Sequence, residues 1–380
     1  MYFERQILKN IEGHLFKGKI IIIYGPRQIG KTTLASEILE KYKIGKKAIY
    51  LNADNITVQE NLMTQDSLKL KQYLGDTNLV IIDEAQRSKN IGCNLKILVD
   101  TYPEIQIIAT GSSSFDLANE IKEPLTGRVW EYFLPPISLN ELTQQFANNQ
   151  LYSLLPNLIN YGLYPGVLNT SGEETRRLLE KITESYLFKD ILDFEGQKNS
   201  DFVFKLLKLL AFQIGNEVSY NELATILGAS KSLVEKYIYL LEQTFVIYRL
   251  SPFSRNLRNE VGKKRKIYFW DTGVRNALIQ NFNILEIRPD IGNLWENFCI
   301  TERLKYLKNN FLYRNSYFRR TYDKKEIDYI EEYDGKLFAY EIKWGKEKLS
   351  KYSEFLEAYP GSSIKLVNKS NFLDFAEGKI

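Results

Sequence analysis

Along the first third of the chain, short apolar runs alternate with stretches of helical spacing. The strongest run is Lys19-Ile20-Ile21-Ile22-Ile23-Tyr24, whose β-branched residues read as a strand buried in a parallel sheet. Ala48 to Asn52, Leu79 to Ile82 and Ile105 to Thr110 repeat the pattern, and Val129 to Leu134 reads as an edge strand. Between them, Thr33 to Leu39 has helical spacing, the polar segment 53–76 predicts a helix or two, and residues 1–18 predict a short helix and turn. Strands alternating with helices predict an α/β fold built on a parallel sheet.

Chemistry is concentrated at the ends of those runs. The first strand leads into Gly25-Pro26-Arg27-Gln28-Ile29-Gly30-Lys31-Thr32, followed by Thr33, which fits the G-x-x-x-x-G-K-[ST] phosphate loop without a mismatch. Glycines let the backbone approach a polyphosphate closely, and the amides that follow form an anion nest at a helix N-terminus. Lys31 is placed to reach the β- and γ-phosphates of ATP, and Thr32 offers a hydroxyl to Mg²⁺. Leu79-Val80-Ile81-Ile82 ends in Asp83-Glu84, the Walker B pattern, in which Asp83 holds the Mg²⁺ shell and Glu84 polarises the attacking water. The next strand ends at Thr110, Gly111 and Ser112, where a polar residue can sense the γ-phosphate; Thr110 and Ser112 are both candidates, and a plain Gly/Ser turn is the bland alternative. Arg128, ahead of the edge strand, is a candidate arginine finger within its own chain or across a subunit contact, which brings in a homo-oligomer. A surface arginine is the alternative there. Arg27 is a second basic candidate near the phosphates.

Pro135-Pro136 ends the strand-helix alternation, and Ser138-Leu139-Asn140-Glu141 reads as a capping box that starts a helix near residue 139. Helical periodicity then dominates 138–215, the position of a lid over bound nucleotide. From 217 to 250 the pattern is a winged helix-turn-helix: Ser219 caps a helix through Leu227, Gly228-Ala229-Ser230 turns, a second helix runs from Ser232 to Gln243, and Phe245 to Tyr248 is a strand. Between Arg249 and Lys266 lie Arg249, Arg255, Arg258, Lys263, Lys264, Arg265 and Lys266 against the single acid Glu260. That excess suits the phosphate backbone of DNA, with a solvated loop as the alternative.

The last hundred residues carry a second constellation. Glu326-Ile327-Asp328-Tyr329-Ile330 reads as a strand turning at Asp334-Gly335 into Lys336 to Lys343. Glu341 and Lys343 share a face of the return strand, so Asp328 and the Glu341-x-Lys343 pair are expected to meet. Two carboxylates there can hold a divalent metal, and Lys343 can stabilise or deprotonate an attacking water for phosphodiester cleavage. Glu296, on a helical stretch beginning near Trp295, is a third metal candidate. A solvated charged strand face is the competing explanation.

Composition removes other classes. Net charge is only +4, so a nucleic-acid reading must rest on local patches. The single histidine, His14, and the widely separated Cys93 and Cys299 leave no usual zinc site, His-based triad or disulfide framework. No apolar run approaches about 18 residues and the N-terminus has no signal pattern, so a soluble cytoplasmic protein with no membrane partner is expected.

Gly-Pro-Arg-Gln-Ile-Gly-Lys-Thr-Thr, Val-Ile-Ile-Asp-Glu-Ala-Gln and Ala-Thr-Gly-Ser-Ser together resemble a prokaryotic family of AAA-type P-loop ATPases. Leu125-Thr126-Gly127-Arg128, Pro136-Ile137-Ser138, Tyr164-Pro165-Gly166, Asp271-Thr272-Gly273 and the pair Ile327-Asp328 with Glu341-Ile342-Lys343 extend the resemblance over nearly the whole chain. It implies a C-terminal winged helix followed by a PD-(D/E)XK nuclease-like domain. Ile327 stands where the proline that names the nuclease motif is expected.

The expected organisation is an ATPase core over 1–137, a helical lid over 138–215, a winged helix over 216–266 and an α/β nuclease-like domain over 267–380. The expected function is Mg²⁺-dependent ATP binding and hydrolysis gating a module that contacts DNA, with a possible second divalent metal serving nuclease chemistry. The alternative is an ATP-dependent signalling or defence switch whose C-terminal half binds a protein partner and cleaves nothing.

Overall fold

The computed structural model describes residues 1–43, 47–112, 125–186, 200–254, 265–320, 326–345 and 353–380. The chain divides into two compact units. One comprises Tyr2–Pro135 with Gln243–Phe245, and the other takes Met1, Pro136–Glu242 and Val246–Ile380.

In the first unit, β1 (Ile20–Tyr24), β2 (Ala48–Asn52), β3 (Leu79–Asp83), β4 (Gln106–Gly111) and β5 (Val129–Phe133) form one sheet in the order β2-β3-β4-β1-β5. Every pairing is parallel. β3 and β4 are buried along their whole length and β1 everywhere except Tyr24, while the edge strands β2 and β5 are mostly half-buried. That contrast is why β1, β3 and β4 are mostly apolar: both faces of an interior parallel strand are covered. On one face Ile20, Ile22, Val80, Ile82, Ile107 and Ala109 pack with Leu70, Leu74, Leu95 and Leu98 from helices. The helices 56–62 and 67–74 start where Asn55 and Asp66 side chains accept backbone N–H groups. Register aligns the strand ends, with Tyr24 opposite Gly111, Ile82 opposite Ala109 and Asn52 opposite Asp83. The C-terminal edge of the sheet therefore gathers the ends of β1, β2, β3 and β4.

The second unit is organised by a seven-stranded mixed sheet. Its strands are β6 (Glu217–Val218), β7 (Ile247–Pro252), β8 (Arg265–Phe269), β9 (Asn315–Arg320), β10 (Glu326–Tyr333), β11 (Lys336–Ile342) and β12 (Ser363–Val367), in the order β12-β11-β10-β9-β7-β8-β6. β7–β9 and β11–β12 pair in parallel, and the other pairs are antiparallel. The sheet runs without a break through the segments expected to be separate winged-helix and nuclease-like domains, and the boundary drawn at residue 266 falls inside β8. Asp334 (φ 50°) and Gly335 (φ 70°) make the turn between β10 and β11, the left-handed pair that a two-residue hairpin demands.

Helices Ser200–Phe212, Tyr220–Leu227 and Lys231–Gln243 precede β7, with β6 between the first two. Ser219 Oγ caps the second of them and Gly228, at φ 61°, ends it. Ser138 and Glu141 form the expected capping box, but the helix they start spans only Leu139–Leu142. The motif Asp271-Thr272-Gly273 makes a tight joint with residues 161–163. Asp271 accepts from Val274 N (3.0 Å) and Leu163 N (2.7 Å), and a Cβ on Gly273 would meet the Tyr161 carbonyl oxygen at 2.0 Å. Helix Ile291–Asn309 is buried along most of its length, charges included: Arg303 lies 2.5 Å from Glu331, and Lys305 lies 2.6 Å from Glu302. No helix among the described residues is long and apolar enough to cross a membrane.

Candidate functional site

β1 delivers the chain into residues 25–30, and the helix that follows begins at Lys31. Gly30 sits at φ 97°, which an L side chain resists, and Gln28 is also left-handed at 61°. Gly25 is required for a different reason: a Cβ there would meet the Leu134 carbonyl oxygen at 2.3 Å. Buried Arg5 braces the loop, donating to the carbonyls of Ile29 (3.0 Å) and Pro135 (2.5 Å). Lys31 is only 5% exposed, and its ammonium donates to the carbonyls of Gly25 (2.8 Å) and Pro26 (2.9 Å). Thr32, Thr33 and Gln28 are exposed, and Arg27 is half-buried.

The expected carboxylates and hydroxyls converge on this loop. Asp83 Oδ2 accepts from Thr32 Oγ1 at 2.9 Å and from Tyr50 Oη at 2.5 Å, while Asp83 Oδ1 accepts from Thr110 Oγ1. Glu84, at φ 51°, donates its backbone N–H to Thr110 Oγ1 at 3.3 Å. Its carboxylate accepts from Gln86 Nε2 at 2.6 Å, and the same nitrogen reaches Ser112 Oγ at 3.3 Å. Thr110 and Ser112 thus take different places, the first on Asp83 and the second towards Glu84 through Gln86. The donor set of Thr32 and Asp83 is all hard oxygen, which fits a hydrated Mg²⁺.

From the sequence, Tyr50 and Gln86 receive no role, although Gln86 closes the Val80–Gln86 motif and Tyr50 lies in the strand Ala48–Asn52. Tyr50 precedes Asn52 by two on β2, and the register that sets Asn52 opposite Asp83 puts both side chains on one face. Burial, then the bond to Asp83, pushes the Tyr50 phenol above its usual range.

Arg128 does not join this site. β5 runs parallel to β1 with Val129 opposite Ile20, and Ile20 N donates to the Arg128 carbonyl at 2.9 Å. Arg128 therefore lies at the N-terminal edge of the sheet, a strand length (on the order of 15 Å) from the phosphate loop. Its guanidinium pairs instead with Asp100 at 2.6 Å and holds that carboxyl below the usual range. The expectation of an arginine finger within its own chain is corrected by this register.

In the second unit, Tyr329 pairs with Tyr340 across β10 and β11, which sets Asp328 beside Glu341. Lys343 Nζ lies 2.7 Å from Glu341 Oε1 and 3.6 Å from Asp328 Oδ2, and Ile342 N donates to Asp328 at 2.7 Å. Burial, then the charges of Glu296 and Glu341, drive the Asp328 carboxyl well above its ordinary range. Glu296 does not complete a metal set. Its Oε1 accepts from buried Lys266 at 2.8 Å and from Tyr268 Oη, and Lys266 also pairs with Glu326. Among the described residues, no group of three or more His, Cys, Asp or Glu side chains is arranged to hold a metal ion. In this arrangement the ammoniums of Lys343 and Lys266 pair with these carboxylates.

The basic tract is described only in part. Arg255, Arg258, Lys263 and Lys264 lie outside the described residues. Of the other three, Arg249 is paired with Glu242, its Nε 2.8 Å away, Lys266 is buried, and Arg265 is half-buried.

Comparison with known proteins locates the first unit. Residues 17–143 match the AAA domain. The chain therefore carries an AAA-type ATPase domain with a P-loop, in a mixed α/β fold with a parallel sheet. Residues 152–284 and 291–378 match two domains of unknown function, DUF8612 and DUF4143. An uncharacterized protein of Mycobacterium tuberculosis is 28% identical over 334 residues, covering 87% of this chain and 71% of its own. One from Methanocaldococcus jannaschii is 26% identical over 318 residues, covering 74% and 67%. Among solved structures, a chain from Pif1 helicases unwinding forked double-stranded DNA aligns with a TM-score of 0.26 at 14% identity, covering 48% of this chain and 52% of that one. Drosophila ORC bound to DNA gives 0.22 at 14% identity, covering 70% and 90%. Scores that low carry no argument about function.

Proposed function

We propose that the chain is a Mg²⁺-dependent ATPase of the cytoplasm whose nucleotide state gates a DNA-contacting second unit. One observation carries the nucleotide half of the reading: Lys31, Thr32, Asp83, Glu84 and Thr110 converge at one edge of one sheet. Lys31 exchanges two carbonyls of its own loop for β- and γ-phosphate oxygens, which are stronger acceptors for an ammonium. Thr32 and Asp83 hold the metal shell. Mg²⁺, when bound, supplies charge neutralisation at the phosphates. Glu84 would orient a water towards the γ-phosphorus and take its proton as the new P–O bond forms, while the bond to the bridging oxygen breaks and ADP and phosphate leave. Thr110 keeps Asp83 and the Glu84 backbone in place. Arg128 serves a triphosphate only if a second copy of the chain presents it.

Steady-state ATP hydrolysis tests this reading. Wild type is expected to turn over ATP with Mg²⁺, and Lys31→Ala to abolish turnover. Hydrolysis that survives Lys31→Ala sinks it.

The DNA half rests on the order of helices 200–212, 220–227 and 231–243 followed by β7 and β8, an arrangement akin to a winged helix. Binding to duplex DNA should weaken steeply between low and moderate salt. Salt-independent binding, or a protein partner retained through nuclease treatment, favours the alternative of a signalling or defence switch. A nuclease reading is favoured by the meeting of Asp328, Glu341 and Lys343. Mn²⁺-dependent nicking lost in Lys343→Ala supports it, and nicking that survives the substitution removes these residues from any such site.

A further inference from the structure

The Gln86 carboxamide has no part in the reading above, yet it touches both sides of the water-activating machinery. It lies in the single turn Ala85–Arg87 that follows Glu84. Its nitrogen carries two hydrogens, and the structure gives it two acceptors: Glu84 Oε2 at 2.6 Å and Ser112 Oγ at 3.3 Å. Ser112 follows β4 directly, and Thr110 near the end of that strand accepts the backbone N–H of the same Glu84. Glu84 is thus tied to the β4 end twice, by its backbone through Thr110 and by its carboxylate through Gln86.

Chemistry fixes which way the amide points. An ionised carboxylate only accepts, so the nitrogen must face Glu84. That orientation leaves Gln86 Oε1 buried with no hydrogen-bond partner among the described residues. An unmade bond at a buried carbonyl is costly, so the amide is held in place by its charge-assisted bond to Glu84.

We propose that Gln86 is a positioning residue that couples Ser112 to Glu84, so that a γ-phosphate engaged at the β4 end sets the carboxylate for water activation. The proposal rests on the ATPase reading. A γ-phosphate oxygen that draws the Ser112 hydroxyl hydrogen towards itself makes Ser112 Oγ a better acceptor for Gln86, and bonds in a chain strengthen one another. The amide then holds Glu84 more firmly. ADP has no γ-phosphate and exerts no such pull.

The test is steady-state ATP hydrolysis, with ATP affinity measured separately, on Gln86→Ala, Ser112→Ala and the double variant. Gln86→Ala should lower kcat about tenfold while KM and ATP affinity stay within about twofold. The double variant should be no slower than the slower single variant, because both break one chain of bonds. Gln86→Glu, the same shape with no donor for Glu84, should lose kcat at least as severely while melting within a few degrees of wild type. A kcat for Gln86→Ala within twofold of wild type, or losses that multiply in the double variant, overturns the coupling and leaves the ATPase reading intact. A wild-type chain that neither binds nor hydrolyses ATP overturns both.

Discussion

The two units each gather carboxylates around their central sheets, and they compensate them in opposite ways. In the first, Asp83 is satisfied by the neutral hydroxyls of Thr32, Tyr50 and Thr110. In the second, Asp328, Glu341, Glu296 and Glu326 are met by the ammoniums of Lys343 and Lys266. Hydroxyls leave the negative charge in place and can turn away, so the first site is ready for a cation and a polyphosphate. Ammoniums already cancel much of the charge, and moving one exposes buried carboxylates. A cluster of acids is therefore a poor guide to metal binding until its partners are known.

Removing a compensating charge from the second cluster should have the largest effect. Lys266→Met leaves Glu296 and Glu326 without their ammonium and should destabilise the fold by about 3–5 kcal/mol in denaturant unfolding. A loss below about 1 kcal/mol would place those acids in water and break the contrast.

Next comes Glu84→Gln, which should keep ATP binding and lower turnover about 100-fold or more. Equal losses in binding and turnover would mean that Glu84 contributes to affinity instead.

The smallest expected effect is a pH dependence. The folded-state pKa of Asp328 is raised, so the native protein holds this proton more tightly than the unfolded chain. The stability tied to it is complete below the ordinary carboxyl range and is lost as pH rises through the raised value. Asp328→Asn mimics the protonated form and should therefore gain stability over wild type as pH rises above the ordinary carboxyl range. A gain that is flat with pH would show that Asp328 titrates normally.

Much of the first unit was legible because its chemistry constrains sequence locally. A phosphate loop needs Gly30 at a left-handed φ and Lys31 at the start of a helix, and interior strands need mostly apolar residues. Asp334-Gly335 was legible for the same kind of reason, since few residue pairs accept two positive φ angles. Only the within-chain role of Arg128 fails, because its place depends on strand direction: a loop before a parallel strand lies at the edge away from the phosphate loop. Tyr50 belongs to no motif with a fixed spacing, Gln86 closes the Val80–Gln86 motif without a role being readable from it, and only the fold brings them to Asp83 and Glu84. In the second unit, Glu302, Arg303 and Lys305 make helix 291–309 look solvent-facing, whereas pairing lets it be buried. The link between β7 and β9 joins residues some 65 positions apart, which no local pattern encodes. Asp271-Thr272-Gly273, matched as a family signature, proves to be a packing joint between Asp271, Leu163 and Tyr161.

The central claim is that Lys31 gives up two backbone carbonyls to take a triphosphate. Calorimetric titration of Mg²⁺-ATP into wild type and Lys31→Ala tests it most directly. The account predicts saturable one-to-one binding by wild type and at least a tenfold weaker association for Lys31→Ala, with the variant still folded by circular dichroism. Equal affinity in the two proteins would contradict it.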